Sequence, residues 1–200
     1  MPGTKLKEVP MAELFGVTRG TIRKAFAQLA SRRVIELIPN RGATVALPTI
    51  RESRDLFEAR RTIESAVVQT LAQNISKANV RKLRARVKAE DLAYRRGNLR
   101  IALKLSVDFH RVLAAMAGNT VMEDLLDQLV ARTPLVVLAY RDAAQSNACA
   151  NKDHAQLVAA IAAHDAARAM AAMHCHLCNL EGQLTLDQPV VDDDLAAIFR

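Results

Sequence analysis

The spacing of apolar residues changes twice along the chain and divides it into three stretches. Up to about residue 30, apolar side chains recur every three to four positions, which is typical of amphipathic helices. Residues 34–46 instead hold β-branched apolar runs on both sides of the turn signal Pro39-Asn40-Arg41-Gly42, which predicts a β-hairpin. From about residue 50 to residue 184, helical spacing returns in segments rich in good helix formers. The pattern predicts a mainly α chain with one short hairpin near its N-terminus.

The first stretch contains two short helices that meet at a sharp turn. Gly16 permits the positive φ that such a turn needs, and Thr18 is a suitable N-cap for the second helix. Apolar residues at helical spacing predict one buried face on that helix: Val17, Ile22, Ala25, Phe26 and Leu29. Two helices at a turn, followed by a hairpin, form the pattern of a winged helix-turn-helix, whose second helix docks in the major groove of DNA.

The polar residues at the start of the second helix are the candidates for contact with DNA: Thr18, Arg19, Thr21, Arg23 and Lys24. Early positions of this helix meet base edges and phosphates in helix-turn-helix docking. An arginine there can hold guanine bidentately, whereas we expect Lys24 to contact phosphate. Arg41, at the hairpin tip, could enter the minor groove or clamp a phosphate. The alternative is a solvated basic helix in a small helical domain, with Arg41 an ordinary exposed residue.

The charge of the chain is concentrated where these candidates lie. Of a net charge of +7 over 200 residues, residues 1–49 hold eight Lys or Arg against three acidic residues, a net of +5. Such an excess neutralises phosphates and makes binding depend on salt. No apolar run of about 18 residues and no signal-peptide pattern occurs, and three cysteines, an odd number, fit a reducing cytoplasm. We therefore expect a cytoplasmic chain with no membrane partner.

The rest of the chain predicts an all-helical domain. Pro48 and its neighbours mark a linker at about residues 46–51. Helices are expected from about residue 50 and then near 76–95, 98–117, 120–146, 151–163 and 166–184, with Asn98 and Asp165 as N-caps. About six antiparallel helices with short turns form a bundle. The predicted domains are a winged helix-turn-helix over 1–47, a helical domain over 50–184 and a tail over 185–200, which carries an acidic run.

Residues 2–46 resemble the winged-helix domain of GntR-type transcriptional regulators. The run Pro2-Gly3-Thr4-Lys5-Leu6-Lys7-Glu8 matches the lead-in to the second helix of that domain. The resemblance implies that four positions touch operator DNA: Arg19, Arg23, Arg41 and Gly42. Lys24 stands where the family usually has Glu or Asp, so we expect a different base preference.

The same resemblance identifies a missing element. The first helix of the family's winged domain lies upstream of Pro2, where this sequence has no residues. A winged domain without that helix leaves apolar faces of the other two helices uncovered. The expectation is that either the true start lies upstream of Met1, or the domain is unstable and DNA binding is impaired.

Three of the five histidines fall on three different predicted helices: His110, His154 and His176. Each alone is an ordinary core or surface residue, but together they could aim three imidazoles into the bundle centre, where metal sites are built from facing helices. Three neutral imidazoles suit Zn²⁺, Ni²⁺ or a similar borderline metal. The run His174-Cys175-His176-Leu177-Cys178 does not converge on one ion while helical, because successive residues face different ways.

A second resemblance covers about residues 50–183. Four runs are similar to the FCD effector domain of FadR-subfamily GntR regulators: Leu56-Phe-Glu-Ala-Arg-Arg-Thr-Ile-Glu64, Asp108-Phe-His-Arg-Val-Leu113, Ala117-Gly-Asn-Thr120 and His154-Ala-Gln-Leu-Val-Ala-Ala-Ile161. In that domain an Asp and three His bind a divalent metal facing a cavity, and a small organic acid commonly completes the site. The resemblance implies that His110, His154 and His176 are the imidazole ligands.

The fourth ligand of that domain is not matched here. The family Asp lies one helical turn before the first His, and Ser106 occupies this position. Asp108 does not replace it, because two residues rotate about 200° around a helix. Ser106 is a poor ligand, although it could orient a metal-bound water. We expect a weakened three-His site, one charge unit more positive than the family's, with an open position for an anionic effector.

Arg60 matches a family Arg on the first helix of the effector domain. It could reach the carboxylate of an effector in the cavity. The alternative is an i,i+4 helix pair with Glu64.

These features predict a ligand-responsive transcriptional regulator rather than an enzyme. It would bind double-stranded operator DNA as a homodimer, under the control of a small carboxylate effector. A three-His metal-dependent enzyme is the alternative from another class, but no motif places a Glu, Asp or Tyr beside the histidines as general acid or base. A truncated regulator that dimerises without binding DNA is the third possibility.

Overall fold

The computed structural model describes residues 1–39, 41–140 and 148–185. Its N-terminal part holds two helices and three short strands, in the order β1 (Lys5–Leu6), α1 (Glu8–Phe15), α2 (Arg19–Ser31), β2 (Ile35–Ile38) and β3 (Gly42–Val45). The predicted hairpin therefore forms, as β2 and β3. The sequence did not predict β1, because two residues are too few to show an alternating pattern.

The turn between α1 and α2 has the predicted geometry. Gly16 closes α1 with φ 62°, and the side chain of Thr18 accepts a hydrogen bond from the backbone N–H of Thr21 at 3.1 Å. The predicted buried face of α2 is only partly correct. Ile22 and Phe26 are buried, but Val17 and Leu29 are 40% and 37% exposed.

The exposure of those two residues follows from the small size of the N-terminal core. Six buried apolar residues form it: Leu6, Ala12, Ile22, Phe26, Ile35 and Ala43. The large apolar residues Leu14 and Phe15 on α1 are also more than half exposed. Helix α1 and the sheet thus cover one side of α2 and leave a band of apolar surface.

The sheet has the order β1-β3-β2, and both pairings are antiparallel. Ala43 of β3 lies opposite Leu6 on one side and Leu37 on the other. Gly42 has φ 96°, and a Cβ built on it would lie 2.2 Å from the carbonyl oxygen of Leu6. Glycine at this position therefore allows both the left-handed backbone of the wing and the close approach of β1.

The remaining described elements are six helices: α3 (Ile50–Asn74), α4 (Lys77–Arg95), α5 (Leu99–Ala117), α6 (Thr120–Tyr140), α7 (Ala148–Ala162) and α8 (Ala166–Gly182). A capping box of Thr49 and Glu52 starts α3, and Asn98 and Asp165 cap α5 and α8 as predicted. The expected extension of α6 to residue 146 and the tail beyond residue 185 fall outside the described residues.

The main core of this helical bundle is built from all six helices, α3 to α8. Its fully buried members include Val68, Phe109, Leu157 and Met173. A second cluster, around Phe57 and Val136, packs α3 against α6. The predicted mainly α bundle is confirmed, and no helix among the described residues is long and apolar enough to span a membrane.

The winged part and the helical bundle contact each other directly. The buried hydroxyl of Tyr140, at the end of α6, donates a hydrogen bond to the carbonyl oxygen of Pro48 in the linker at 2.6 Å. Arg32, directly after α2, forms an ion pair with Asp127 of α6 at 3.1 Å. The end of α2 is therefore held against the bundle rather than joined only through the linker.

The substitution Gly42→Ala should release β1 from the wing, because the added methyl group would clash with backbone rather than with a flexible side chain. Gly97→Ala is the matched control, since Gly97 also has a positive φ (71°) but nothing within 4 Å of an added Cβ. Positive φ alone costs about 1 kcal/mol. Hydrogen exchange should show faster exchange of residues 3–7 in Gly42→Ala only. Equal exchange of this segment in the two variants would contradict the role of the close approach.

Candidate functional site

The candidate DNA-contacting residues lie on one side of the winged part. Gly42 is half-buried and the other six candidates are exposed. These six are Thr18, Arg19, Thr21, Arg23, Lys24 and Arg41. A groove of about 1160 Å³ runs between β1, the start of α2 and the wing. Arg19 and Arg23 line it from α2, and Arg41 and Gly42 line it from the wing. The other three candidates lie outside this lining, Thr18 as the N-cap of α2 and Thr21 and Lys24 on α2 itself.

Three further charged residues line the groove, and sequence reasoning missed all of them: Lys5, Lys7 and Glu8. Both carboxylate oxygens of Glu8 lie 2.9 Å from Nε of Arg23, and one of them lies 3.4 Å from Nη2 of Arg19. The hydrogen bond from Arg23 lowers the pKa of the Glu8 carboxyl below its ordinary value. Glu8 thus orients the two arginines at the start of α2, and the groove keeps an excess of basic groups.

The three candidate metal ligands meet in the centre of the bundle. His110 of α5, His154 of α7 and His176 of α8 are each at most 2% exposed, and one ring nitrogen from each lies within 4.8 Å of the others. The Nε2 atoms of His154 and His176 are 3.1 Å apart. Two nitrogens bound to one ion at about 2.0–2.1 Å are separated by about 3 Å, so this spacing suits a shared cation.

Each of the three imidazoles faces a carboxylate through its other ring nitrogen. Nδ1 of His110 contacts Glu64, and Nδ1 of His154 lies 2.8 Å from Glu90. Nδ1 of His176 lies 3.6 Å from Asp153, which is too far for a direct hydrogen bond. A carboxylate at Nδ1 fixes the proton there and leaves the lone pair on Nε2 for a metal, the arrangement commonly found around ligating histidines.

The sequence analysis did not identify two of these carboxylates, Glu90 and Asp153, although the pattern around Glu90 could have indicated it. Glu90 lies on the apolar stripe of α4, in register with Val80, Leu83 and Val87 at helical spacing, and it is fully buried. An acidic residue on a buried stripe requires a partner. Asp153 precedes His154 directly and gave no such signal. Glu64 was considered only as a partner of Arg60.

Burial and neighbouring charges set the protonation of the cluster. Burial lowers the pKa of His110, and burial together with His154 lowers the pKa of His176 to about 3. Burial alone would raise the pKa of Glu64, but Arg60 and His110 hold it at about 2. Near neutral pH, His110 and His176 are therefore neutral while Glu64 is ionised. Metal binding requires neutral imidazoles, so His110 and His176 are in the required state.

Of the two roles that the sequence left open for Arg60, the structure shows the i,i+4 pair with Glu64, and contact with an effector stays a prediction. Nε of Arg60 donates to Glu64 at 2.7 Å, and its Nη1 donates to the hydroxyl of Thr133 at 3.1 Å. Its buried Nη2 has no hydrogen-bond partner among the described residues. Arg60 also lines a cavity together with His110 and His176. A buried guanidinium with an unused donor is a suitable partner for an anion.

Ser106 lines this cavity from the same face of α5 as His110. Asp108 instead forms an ion pair with Arg111 at 3.3 Å, as expected from its rotation around the helix. The space that a water-sized sphere can enter is about 30 Å³, which is room for about one water molecule. The cavity as it stands is too small for an organic acid.

The chain matches two known families over most of its length. Residues 1–45 match the family of bacterial regulatory proteins of the gntR type, and residues 55–179 match the FCD domain. The second match alone spans more than half of the chain. This protein belongs to the GntR family of transcriptional regulators and carries an FCD domain.

Relatives support this assignment to the GntR family. The HTH-type transcriptional repressor RspR of Escherichia coli (strain K12) is 27% identical over 88% of this chain and 77% of its own length. The HTH-type transcriptional regulator LutR of Bacillus subtilis (strain 168) is 25% identical over 92% and 93% of the two chains. The relatives are transcriptional regulators, so the enzymatic alternative has no support.

Solved structures of GntR-type regulators share the fold. Escherichia coli McbR/YncC superposes with a TM-score of 0.79 over 91% of this chain and 89% of that one, at 18% identity. A GntR transcriptional regulator from Rhodococcus sp. RHA1 gives a TM-score of 0.76 over 91% and 87%, at 24% identity. At this level of identity the likeness concerns the fold alone.

Among the described residues, the three histidines are the one group of His, Cys, Asp or Glu whose ligand atoms converge closely enough for a single ion. Cys175 and Cys178 are exposed on α8 and do not join the cluster. His174 is exposed as well, and His164 binds the carbonyl oxygen of Ala72 at 2.8 Å. The candidate metal centre of this GntR-family protein is thus confined to His110, His154 and His176.

Proposed function

We propose that this GntR-family regulator binds operator DNA as a homodimer, and that a small organic acid at a metal-holding site in its FCD domain controls the binding. The DNA-binding domain spans residues 1–47, and the effector-binding and dimerisation domain spans residues 50–184. The observation that carries the proposal is the convergence of three buried imidazoles, each with a carboxylate at Nδ1, beside a cavity that also holds Arg60. A regulator that acts on chromosomal DNA works in the cytoplasm.

The groove of the winged part supports the DNA-binding half of the proposal. The arginines of α2 and of the wing face the same groove, so one helix can enter the major groove while Arg41 reaches the adjacent backbone or minor groove. The carboxylate of Glu8 already holds the side chains of Arg19 and Arg23. These side chains would therefore lose less conformational entropy when they bind DNA. Two copies related by a two-fold axis would read two half-sites of a symmetric operator.

The histidine cluster supports the metal-binding half. His110, His154 and His176 would hold a divalent ion such as Zn²⁺ or Ni²⁺, and the bound ion would supply a positive centre for an anionic group. Ser106 faces the same space as His110 and offers a hydroxyl where an acidic ligand is usual in this family. The ion would be held less tightly than in a site with that acidic ligand. One coordination position would stay open for the carboxylate of an effector.

Arg60 is the second group that would recognise an anionic effector. The partnerless Nη2 of this buried side chain can donate to a carboxylate, and the neighbouring hydroxyls of Ser106 and Thr133 add further polar contacts. Since the cavity holds only about one water molecule, an organic acid must push the surrounding helices apart. Binding is therefore coupled to a change in the bundle, and the coupling needed to alter DNA affinity is about 1–3 kcal/mol.

The DNA-binding role is tested by fluorescence anisotropy with a duplex taken from the region upstream of the chain's own gene. Arg23→Ala should weaken binding about tenfold, the range of one lost base or phosphate contact. The matched control is Arg84→Ala, which removes an exposed arginine from α4 in the helical bundle. The comparison should be repeated at several salt concentrations, because each lost phosphate contact lowers the salt slope by about 0.9.

Equal losses of DNA affinity in Arg23→Ala and Arg84→Ala would show that binding depends on the overall charge of the protein rather than on α2. No binding by the unmodified chain at low salt would favour the alternative of a regulator that does not bind DNA.

The substitution Ser106→Asp should tighten metal binding, because it places a carboxylate on the cavity face of α5 one turn before His110. We expect at least a tenfold gain in Zn²⁺ affinity, measured by competition with a chromogenic chelator. Ser106→Asn is the matched control, since it has nearly the same shape without the charge. Unchanged Zn²⁺ affinity in Ser106→Asp, or an equal change in Ser106→Asn, would contradict the assignment of this position.

A further inference from the structure

One carboxylate joins the winged part to two helices of the bundle. Oδ2 of Asp127, on α6, lies 3.1 Å from Nη2 of Arg32, the residue that directly follows α2. Oδ1 of the same side chain accepts a hydrogen bond from Nε of Arg111, on α5, at 2.6 Å. Asp127 is therefore shared by one cation from the DNA-binding part and one from the effector-binding part.

Arg111 on α5 and Asp127 on α6 both lie close to the cavity. Arg111 directly follows His110, whose side chain lines the cavity from α5. Asp127 precedes Val130 by three residues, and Val130 lines the cavity from α6. The ion pair between Arg111 and Asp127 therefore spans α5 and α6 within about one helical turn of the cavity wall.

An occupant larger than water must separate these two helices or move one of them. Residues on α5 and α6 make up more than half of the cavity lining: Leu103, Ser106, Val107, His110, Val130, Thr133, Pro134 and Val137. Pro134 lies inside α6 and has no N–H to donate to the turn before it, so the helix can bend there. Asp127 is on the N-terminal side of this point, in the segment that such a bend would displace.

We infer that Asp127 is a positioning residue that links the state of the cavity to the placement of the DNA-binding helix α2. With the cavity small, Asp127 holds Arg32 and fixes the end of α2 against the bundle. Widening the gap between α5 and α6 draws Asp127 away from Arg32 or Arg111 and releases that end. The inference rests on the proposed role of the cavity as the effector site, and it adds the path by which the site reaches the DNA-binding part.

Partial exposure sets the size of the expected effect. The side chains of Arg32, Arg111 and Asp127 are 49%, 34% and 27% exposed, so each pair contributes modestly and is screened by salt. Loss of the shared carboxylate should therefore raise local opening at the end of α2 about two- to fivefold, without unfolding the bundle.

Hydrogen exchange on the full chain, with no DNA, metal or effector added, tests the link. Asp127→Asn keeps the shape of the side chain and removes its charge, and it should speed exchange of residues 26–35 about two- to fivefold. Asp124→Asn is the matched control, because Asp124 is exposed on the same helix one turn earlier. Identical exchange of residues 26–35 in the two variants would overturn the inference.

A second variant tests the connection to the cavity. Ser106→Phe places a ring in the space between α5 and α6 and acts as a tethered occupant. It should speed exchange of residues 26–35 when Asp127 is present, and it should add little in combination with Asp127→Asn. An equal effect of Ser106→Phe in both backgrounds would contradict a path through Asp127. Since neither measurement uses DNA or metal, failure of operator binding or of metal binding would be recognised separately.

Discussion

The buried polar cluster at the centre of the bundle is the constraint on which the rest of the helical domain depends. Arg60, Glu64, Glu90 and the three histidines are at most 2% exposed, in a region where an uncompensated charge costs several kcal/mol. Five helices must therefore place their side chains in a matched arrangement: α3, α4, α5, α7 and α8. A cluster held in this way has a defined geometry before any ligand arrives.

The cluster also supports the proposed role of the cavity as an effector site. The guanidinium of Arg60 has one buried nitrogen without a partner among the described residues, and Glu90 Oε1 and His176 Nδ1 are in the same condition. A buried guanidinium nitrogen of this kind would be stabilised by an anionic ligand, and a buried carboxylate oxygen by a cation or a water molecule. These atoms belong to α3, α4 and α8, and Arg60 and His176 line the cavity together with residues of α5 and α6. The contact from α6 to the winged part, at Asp127, lies about one turn from the cavity residue Val130.

Local features of the sequence predicted much of this structure. Gly16 and Thr18 located the turn between α1 and α2, and Asn98 and Asp165 located two helix starts, because caps and turns depend on neighbouring residues. The histidines could be grouped because three helices of one bundle share one interior. Contacts between distant parts of the chain could not be predicted. The pairing of Glu90 with His154 and of Arg32 with Asp127 depends on how the helices cross, and the exposure of Val17 and Leu29 depends on what covers α2.

The central claim is that three histidines form one metal site, and calorimetric titration of Zn²⁺ into chelator-treated protein tests it most directly. We expect one ion per chain for the unmodified protein and for His174→Ala, since His174 is exposed on α8 away from the cluster. We expect binding to be lost in His110→Ala, whose fold is checked by circular dichroism. Absence of binding by the unmodified chain, or equal binding by His110→Ala, would contradict the account.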